Sequence, residues 1–257
     1  MNVQPALVPP HSTIVTSEEI FDDPTSVAAI IDHTLLKPDA SRAAILELCA
    51  EATDARFASV CVNPFWVAAA RDALAGSTVR VCTVIGFPLG VNGLRAKLRE
   101  AELALDEGAG ELDMVQNLGA LKSGDFGIVR GEIGAIAELA HSRGALVKVI
   151  LETSLLSQEE ITLSCRLAAE AHADFVKTST GFSSAGATAD NVRLMRSVVG
   201  PSIGVKASGG IRSLADLRTM IEAGANRIGT SSGMKILREL STAVRANESR
   251  QEHMNGY

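Results

Sequence analysis

The stretch IIDHTLLKP, residues 30–38, decides between two folds that share one local pattern. It overlaps the first of eight short apolar runs, AAIIDHTLL (28–36). The others are FASVCV (57–62), VRVCTVIGF (79–87), ELDMVQN (111–117), LVKVILE (146–152), DFVKTS (174–179), IGVKAS (203–208) and RIGTSS (227–232). Between them lie amphipathic segments such as SRAAILELCAEA, LRAKLREAELALDEGA and LADLRTMIEAGA, whose apolar residues recur at helical spacing. Ser157 with Glu160 forms a capping-box signal, and glycine follows helix ends in EGAGE, SRGAL and EAGAN. Strands alternating with helices in this way suit an open doubly wound sheet or a closed barrel. An open sheet usually carries a Gly-x-Gly-x-x-Gly turn after its first strand. IIDHTLLKP stands there instead, and it contains no glycine. The reading is an α/β protein with a single-domain (β/α)8 TIM barrel over residues 17–246. A capping helix is expected within residues 17–30, a flexible leader over 1–16 and a polar C-terminal tail over 247–257.

The chain has 257 residues, 46% hydrophobic and 4% aromatic, with the apolar share supplied by Ala, Val, Ile and Leu. That profile suits helices packed on a parallel sheet buried on both faces. A formal net charge of −6 argues against a nucleic-acid partner, which would call for a basic face. It leaves room for an anionic small molecule held by local donors. No uncharged apolar run approaches the ~20 residues that span a bilayer. MNVQPALVPPHSTIVT lacks the basic and continuous apolar regions of a signal peptide. Cys49, Cys61, Cys82 and Cys165 are widely spaced and read as free thiols of a cytoplasmic protein.

Three successive apolar runs each hold a lysine: Lys148, Lys177 and Lys206, 29 residues apart both times. With a βα unit of about 30 residues, they are expected at similar heights on strands five, six and seven. A lone lysine at a strand end is usually a side chain reaching for water. Three in register, joined by Asp113 and Asp32, must compensate one another to be tolerated in a barrel mouth. Burial and a neighbouring cation both favour the neutral amine, the form that attacks a carbonyl to give a Schiff base. Lys177, flanked on both sides, is the expected nucleophile. Lys206 is the expected perturbing cation, and Asp113 the proton shuttle.

The loops TSTGF (178–182), ASGGIR (207–212) and GTSSG (229–233) offer glycines, hydroxyls and backbone N–H groups near helix starts. Three such loops in succession form the usual anion site of a barrel. Arg212 is either a further donor or a solvated arginine. His11, His33, His141, His172 and His253 show no ligand spacing. Asp32, Asp113 and Glu152 have the oxygens that Mg2+ takes, but three lysines in the same mouth would compete with the ion, so no metal is expected.

IDHTLLKP, DMVQN, VKVILET, DFVKTSTGF and GVKASGGIR together resemble the deoxyribose-phosphate aldolases, class I aldolases, from about residue 28 to residue 240. The resemblance implies a (β/α)8 barrel without metal or cofactor. It also implies reversible cleavage of 2-deoxy-D-ribose 5-phosphate to acetaldehyde and D-glyceraldehyde 3-phosphate, in deoxyribonucleoside breakdown, and a homodimer. By that matching Lys177 is the Schiff-base lysine, Lys206 its companion and Asp113 the relay. Gly181, Gly209, Gly210, Arg212, Gly229, Ser231 and Ser232 would surround the phosphate. Asp32, Thr34, Cys61 and Lys148 match positions near the site, Cys61 being either a reactive thiol or a buried barrel cysteine. Phe182 stands where some members hold phosphate with a lysine. Tyr257 is either a tyrosine that closes over the site or part of a frayed tail. Other Schiff-base aldolases, a non-catalytic sugar-phosphate binder and a carboxylate-based isomerase are the rival readings.

Overall fold

Each of the eight β-branched runs forms a strand: β1 Ile31–Leu35, β2 Ser59–Val62, β3 Arg80–Ile85, β4 Glu111–Val115, β5 Leu146–Ile150, β6 Phe175–Lys177, β7 Gly204–Ser208 and β8 Arg227–Thr230. In the computed structural model, which describes residues 19–255, they pair in parallel, each with its sequence neighbour. The pairing of β1 with β8 closes a barrel. The helices are α1 Pro24–Ala28, α2 Arg42–Ala55, α3 Val67–Ala73, α4 Leu94–Glu107, α5 Leu118–Lys122, α6 Phe126–Ser142, α7 Gln158–Glu170, α8 Ala189–Val199, α9 Leu214–Glu222 and α10 Gly233–Asn255. The capping box at Ser157 and Glu160 starts α7, and Gly108 ends α4 in a left-handed conformation. Short α1 begins on Asp23, whose carboxylate accepts from the Thr25 and Ser26 N–H groups; it precedes β1 and so lies at the amino ends of the strands. Helix α10 continues through residues 247–255.

A period of two along each strand sorts the side chains. Val60, Leu112, Met114, Val147, Val149, Val176, Val205 and Ile228 face outward into one core with Ile45, Ile133, Ile136, Cys165, Val192 and Leu217 of the helices. Each such buried side chain contributes roughly 1.5–3 kcal/mol of transfer free energy. The residues between them, Glu111, Asp113, Lys148, Lys177, Lys206 and Arg227, share the opposite face, the barrel interior. The core that holds the fold is therefore separate from the polar lumen.

Candidate active site

Lys177 on β6 and Lys206 on β7 are direct partners in the strand register, and both ammonium groups reach one carboxylate oxygen. Asp113 Oδ2 accepts from Lys177 Nζ at 2.7 Å and from Lys206 Nζ at 2.6 Å, while Oδ1 accepts from Lys148 Nζ at 2.8 Å. Lys148 also meets Glu111 at 2.6 Å. Arg227 donates to Asp32 at 2.7 Å and to both oxygens of Glu111 at 2.6 and 2.7 Å. Asp32 further pairs with Lys206 and accepts from the Ser59 hydroxyl at 2.7 Å. The Cys82 thiol donates to Asp113 and accepts from Lys148, each at 3.3 Å.

The equal 29-residue spacing does not put the three lysines level. Lys148 pairs with Phe175, and the β5 partner of Lys177 is Ile150, so Lys148 lies two residues toward the amino end. A closed barrel needs its strands staggered, and the shift falls unevenly between pairs. The step from β5 to β6 takes Lys148 out of line, whereas the step from β6 to β7 keeps Lys177 opposite Lys206. Lys148 is instead the register partner of Asp113 on β4, with its ammonium between the Asp113 and Glu111 carboxylates.

The network contains three carboxylates, Asp32, Glu111 and Asp113, against four cations, Lys148, Lys177, Lys206 and Arg227. Burial alone would push the Asp113 carboxyl up, but Lys148, Lys177 and Lys206 outweigh it and hold it well below the usual range. Burial likewise opposes ionisation of Asp32, and Arg227, Lys206 and Lys148 overcome it. Desolvation would lower Lys206, but Asp113 and Asp32 raise it above an ordinary lysine, so it stays a cation. Lys148 is raised in the same way by Asp113, Cys82 and Glu111. The side-chain hydrogen bond with Cys82 pulls the Cys61 thiol down, and burial followed by that same contact pushes Cys82 up.

What separates the lysines is access. Lys148 and Lys206 are fully buried, whereas Lys177 is 2% exposed and lines a cavity of about 380 Å3 at the carboxyl ends of the strands. Thr34, Gly181, Gly209, Gly210, Arg212, Gly229 and Ser231 line the same cavity. So do Lys37, Thr180 and Phe182, and among the described residues no carboxylate does. The loops are tied together: the Ser208 hydroxyl donates to Ser179 O at 2.6 Å and Thr230 Oγ to Ile211 O at 2.7 Å. Glu152, in a left-handed conformation at the end of β5, stands outside the ion network. It accepts from the Thr180 N–H at 3.2 Å and from the Thr180 hydroxyl, while Thr180 Oγ accepts the Phe182 N–H at 3.0 Å. Gly209 and Gly210 both have positive φ, of 86° and 83°, which only glycine adopts freely. Gly229 is needed for space, since a Cβ there would lie 3.0 Å from Lys206 Cε.

Asp32, Asp113, Lys148, Lys177 and Lys206 come together as one buried group, with Cys61 beside it against Cys82. Ser232 is not part of the cavity wall; its N–H donates to Thr230 Oγ at the start of α10. Tyr257 lies outside the described residues. The sequence reading did not pick out Glu111 and Arg227. Glu111 stands two residues before Asp113, hence on the same strand face, and Arg227 is the register partner of Lys206. Cys61, Cys82 and Asp113 have ligand atoms within 4.8 Å of one another, as do Asp32, Cys82 and Glu111. The ammonium groups of Lys148 and Lys206 already occupy those carboxylates, which disfavours a cation there. Among the described residues no helix is long and apolar enough to cross a membrane.

A family model described as "DeoC/LacD family aldolase" matches residues 26–241. The chain is 56% identical over 212 residues to a deoxyribose-phosphate aldolase of Geobacillus sp. (strain WCH70), covering 82% of this chain and 95% of that one. It is 55% identical over 213 residues to the deoxyribose-phosphate aldolase of Thermococcus kodakarensis, covering 82% of this chain and 95% of the relative. The solved deoxyribose phosphate aldolase of Aeropyrum pernix, described as tetrameric, superposes with a TM-score of 0.83 at 38% identity, covering 90% of this chain and 97% of that one.

Proposed function

The chain belongs to the DeoC/LacD aldolase family, and from that premise we propose that it cleaves 2-deoxy-D-ribose 5-phosphate reversibly through a Schiff base on Lys177. The observation that carries the assignment of the lysine is that Lys177 alone among the buried ammonium groups of the network lines the cavity. The enzyme is a lyase of deoxyribonucleoside breakdown.

The chemistry follows from the charge count. Four cations against three carboxylates leave one positive charge in excess. Lys148, Lys206 and Arg227 are by themselves enough to balance Asp32, Glu111 and Asp113, so Lys177 is free to react as an amine. The neutral amine adds to C1 of the open-chain sugar, and loss of water gives an iminium. The iminium accepts the electron pair of the C2–C3 bond as the C3 hydroxyl is deprotonated, which releases glyceraldehyde 3-phosphate. The enamine left on Lys177 takes a proton at its terminal carbon, relayed from water through Asp113. Hydrolysis then frees acetaldehyde and returns the amine. Asp113 is strongly held as a carboxylate, so it passes a proton rather than storing one. Lys206, raised above an ordinary lysine by Asp113 and Asp32, keeps its charge throughout. The cationic wall and the glycine loops after β6, β7 and β8 hold the phosphate, whose remote binding orients C1 at Lys177.

Incubation with deoxyribose 5-phosphate and borohydride, followed by peptide mass spectrometry, tests the assignment. A reduced adduct on Lys177 is expected; an adduct on Lys148 or Lys206 reverses the roles. We also place the enzyme in the cytoplasm, a reading supported by four buried, unbridged cysteines. A homodimer is supported by the exposed apolar Phe65, Leu89 and Val91 after β2 and β3. Light scattering that returns any other mass overturns the dimer.

A further inference from the structure

We propose that Lys37, in the loop between β1 and α2, is the second cation of the phosphate end of this cavity and sets the preference for phosphorylated over unphosphorylated substrate. The inference rests on the aldolase reading above and adds to it a residue that neither the glycine loops nor the buried lysines predict.

Three observations carry it. First, Lys37 lines the same cavity as Lys177, Arg212, Gly209, Gly210 and Ser231, although it comes from the opposite end of the chain. Barrel closure makes β8 and β1 neighbours, so a residue just after β1 faces the loop just after β8. Second, its charge is uncommitted. No side-chain partner of Lys37 or Arg212 occurs among the described residues, whereas Arg71, Arg99, Arg143 and Arg193 each pair with a carboxylate. In a protein with net charge −6, Lys37 and Arg212 are thus free cations on one cavity wall that no carboxylate among the described residues shares. Third, the base of the loop is fixed while the side chain is not. Leu36 is buried and its carbonyl accepts from Asn63 Nδ2 at 3.2 Å, and Lys37 O accepts the Ala40 N–H at 3.2 Å. The ammonium is therefore delivered on a held backbone without an internal bond to break. A dianion between two such cations gains charge-assisted hydrogen bonds without displacing an existing ion pair. Phe182 adds no charge to the wall; its ring packs edge-on against Phe87, with centroids 5.2 Å apart.

Steady-state kinetics of Lys37→Gln with deoxyribose 5-phosphate and with unphosphorylated 2-deoxyribose test the proposal. Loss of one charge-assisted contact is expected to raise KM for the phosphorylated sugar about tenfold or more. The kcat value should change much less, and kcat/KM for 2-deoxyribose should stay near its original value. Lys37→Arg should restore most of the difference. Inorganic phosphate, used as a competitive inhibitor of 2-deoxyribose turnover, should bind more weakly to Lys37→Gln by a similar factor. Lys122→Gln, on the surface at the end of α5, controls for net charge. An equal loss on both sugars, or an unchanged KM and phosphate inhibition, overturns the role of Lys37. Failure of the wild-type protein to cleave deoxyribose 5-phosphate would instead sink the aldolase reading itself.

Discussion

Lys206→Met gives the charge argument its sharpest test. Lys206 and Lys177 both lie within 2.7 Å of Asp113 Oδ2, so their nitrogens are about 5 Å apart or less. At an effective dielectric constant of about 20, two unit charges at that distance repel by about 3 kcal/mol. An energy of that size corresponds to a factor of about 100 in rate. Removing Lys206 also leaves three cations, Lys148, Lys177 and Arg227, against three carboxylates, with no positive charge in excess. The acidic limb of the kcat/KM profile should move to higher pH, and the rate at pH 7 should fall by up to about 100-fold. Activity should recover as the pH is raised. The fold should survive, because Asp32 retains Arg227 and Asp113 retains Lys148 and Lys177. Taking one ammonium out of the buried network should cost about 3 kcal/mol of stability. The assay is a pH–rate profile of both proteins with deoxyribose 5-phosphate, with thermal unfolding as the control. Lys206→Arg, which keeps the charge, should leave the limb in place. A uniform loss at every pH, with the limb unmoved, would show that Lys206 acts by touching the reacting atoms and not through its charge.

Lys177→Met should lose the borohydride adduct and at least about 10⁴-fold in turnover, yet unfold within a few degrees of the original protein. Asp113 keeps two ammonium partners in that variant, so a collapse of stability would mean that the charge count is wrong. Asp32 and Asp113 are both held below the ordinary aspartate range in the fold. Their stabilising contribution is therefore complete above about pH 4 and is lost progressively as the pH falls below it. Urea midpoints at pH 7, 4 and 3 should decline in that order, and a midpoint that rises on acidification contradicts the ionised network. Gly229→Ala should lower kcat about tenfold with little loss of stability. Its φ is not positive, and the new Cβ presses chiefly on Lys206 Cε and Ser208 Cβ, 3.0 Å away. Unchanged kinetics there would mean that Lys206 can shift without consequence.

The barrel was legible because its outward strand face is apolar at a period of two and its helices are punctuated by capping residues and glycines. Those signals are local, and Val147-Lys148-Val149 or Leu112-Asp113-Met114 carries them in three residues. The cluster was legible in part for the same reason, since a lysine between two valines in a strand has no cheap explanation. Height was not legible. The register between strands belongs to the closed barrel and not to either strand, so equal spacing in sequence mispositioned Lys148. Glu111 and Arg227 escaped because each stands at the first position of its strand, where a charge reads as an ordinary boundary residue. Lys37 escaped because it stands in a turn beside Pro38, a place where lysines are usually solvated. Only the closure of β8 onto β1 brings it to the wall shared with Arg212.

A barrel interior could be filled with apolar side chains at no loss of stability, since well-packed hydrophobic groups often equal or exceed a buried ion network. The seven charges in this lumen therefore ask for a chemical reason, and the contrast between Lys177 and Lys206 supplies it. The two are the same residue type, register partners, and bound to the same carboxylate oxygen. They differ in what lies above them. Strand β6 ends at Lys177, but the Thr178 N–H still donates to Lys206 O at 3.0 Å before the chain turns at Gly181. Strand β7 runs on past Lys206 to Ser208, whose hydroxyl donates to Ser179 O. One amine is thus opened to the cavity and the other sealed beneath it as a lasting positive charge. Access, and not residue type or register, is what makes these two lysines different.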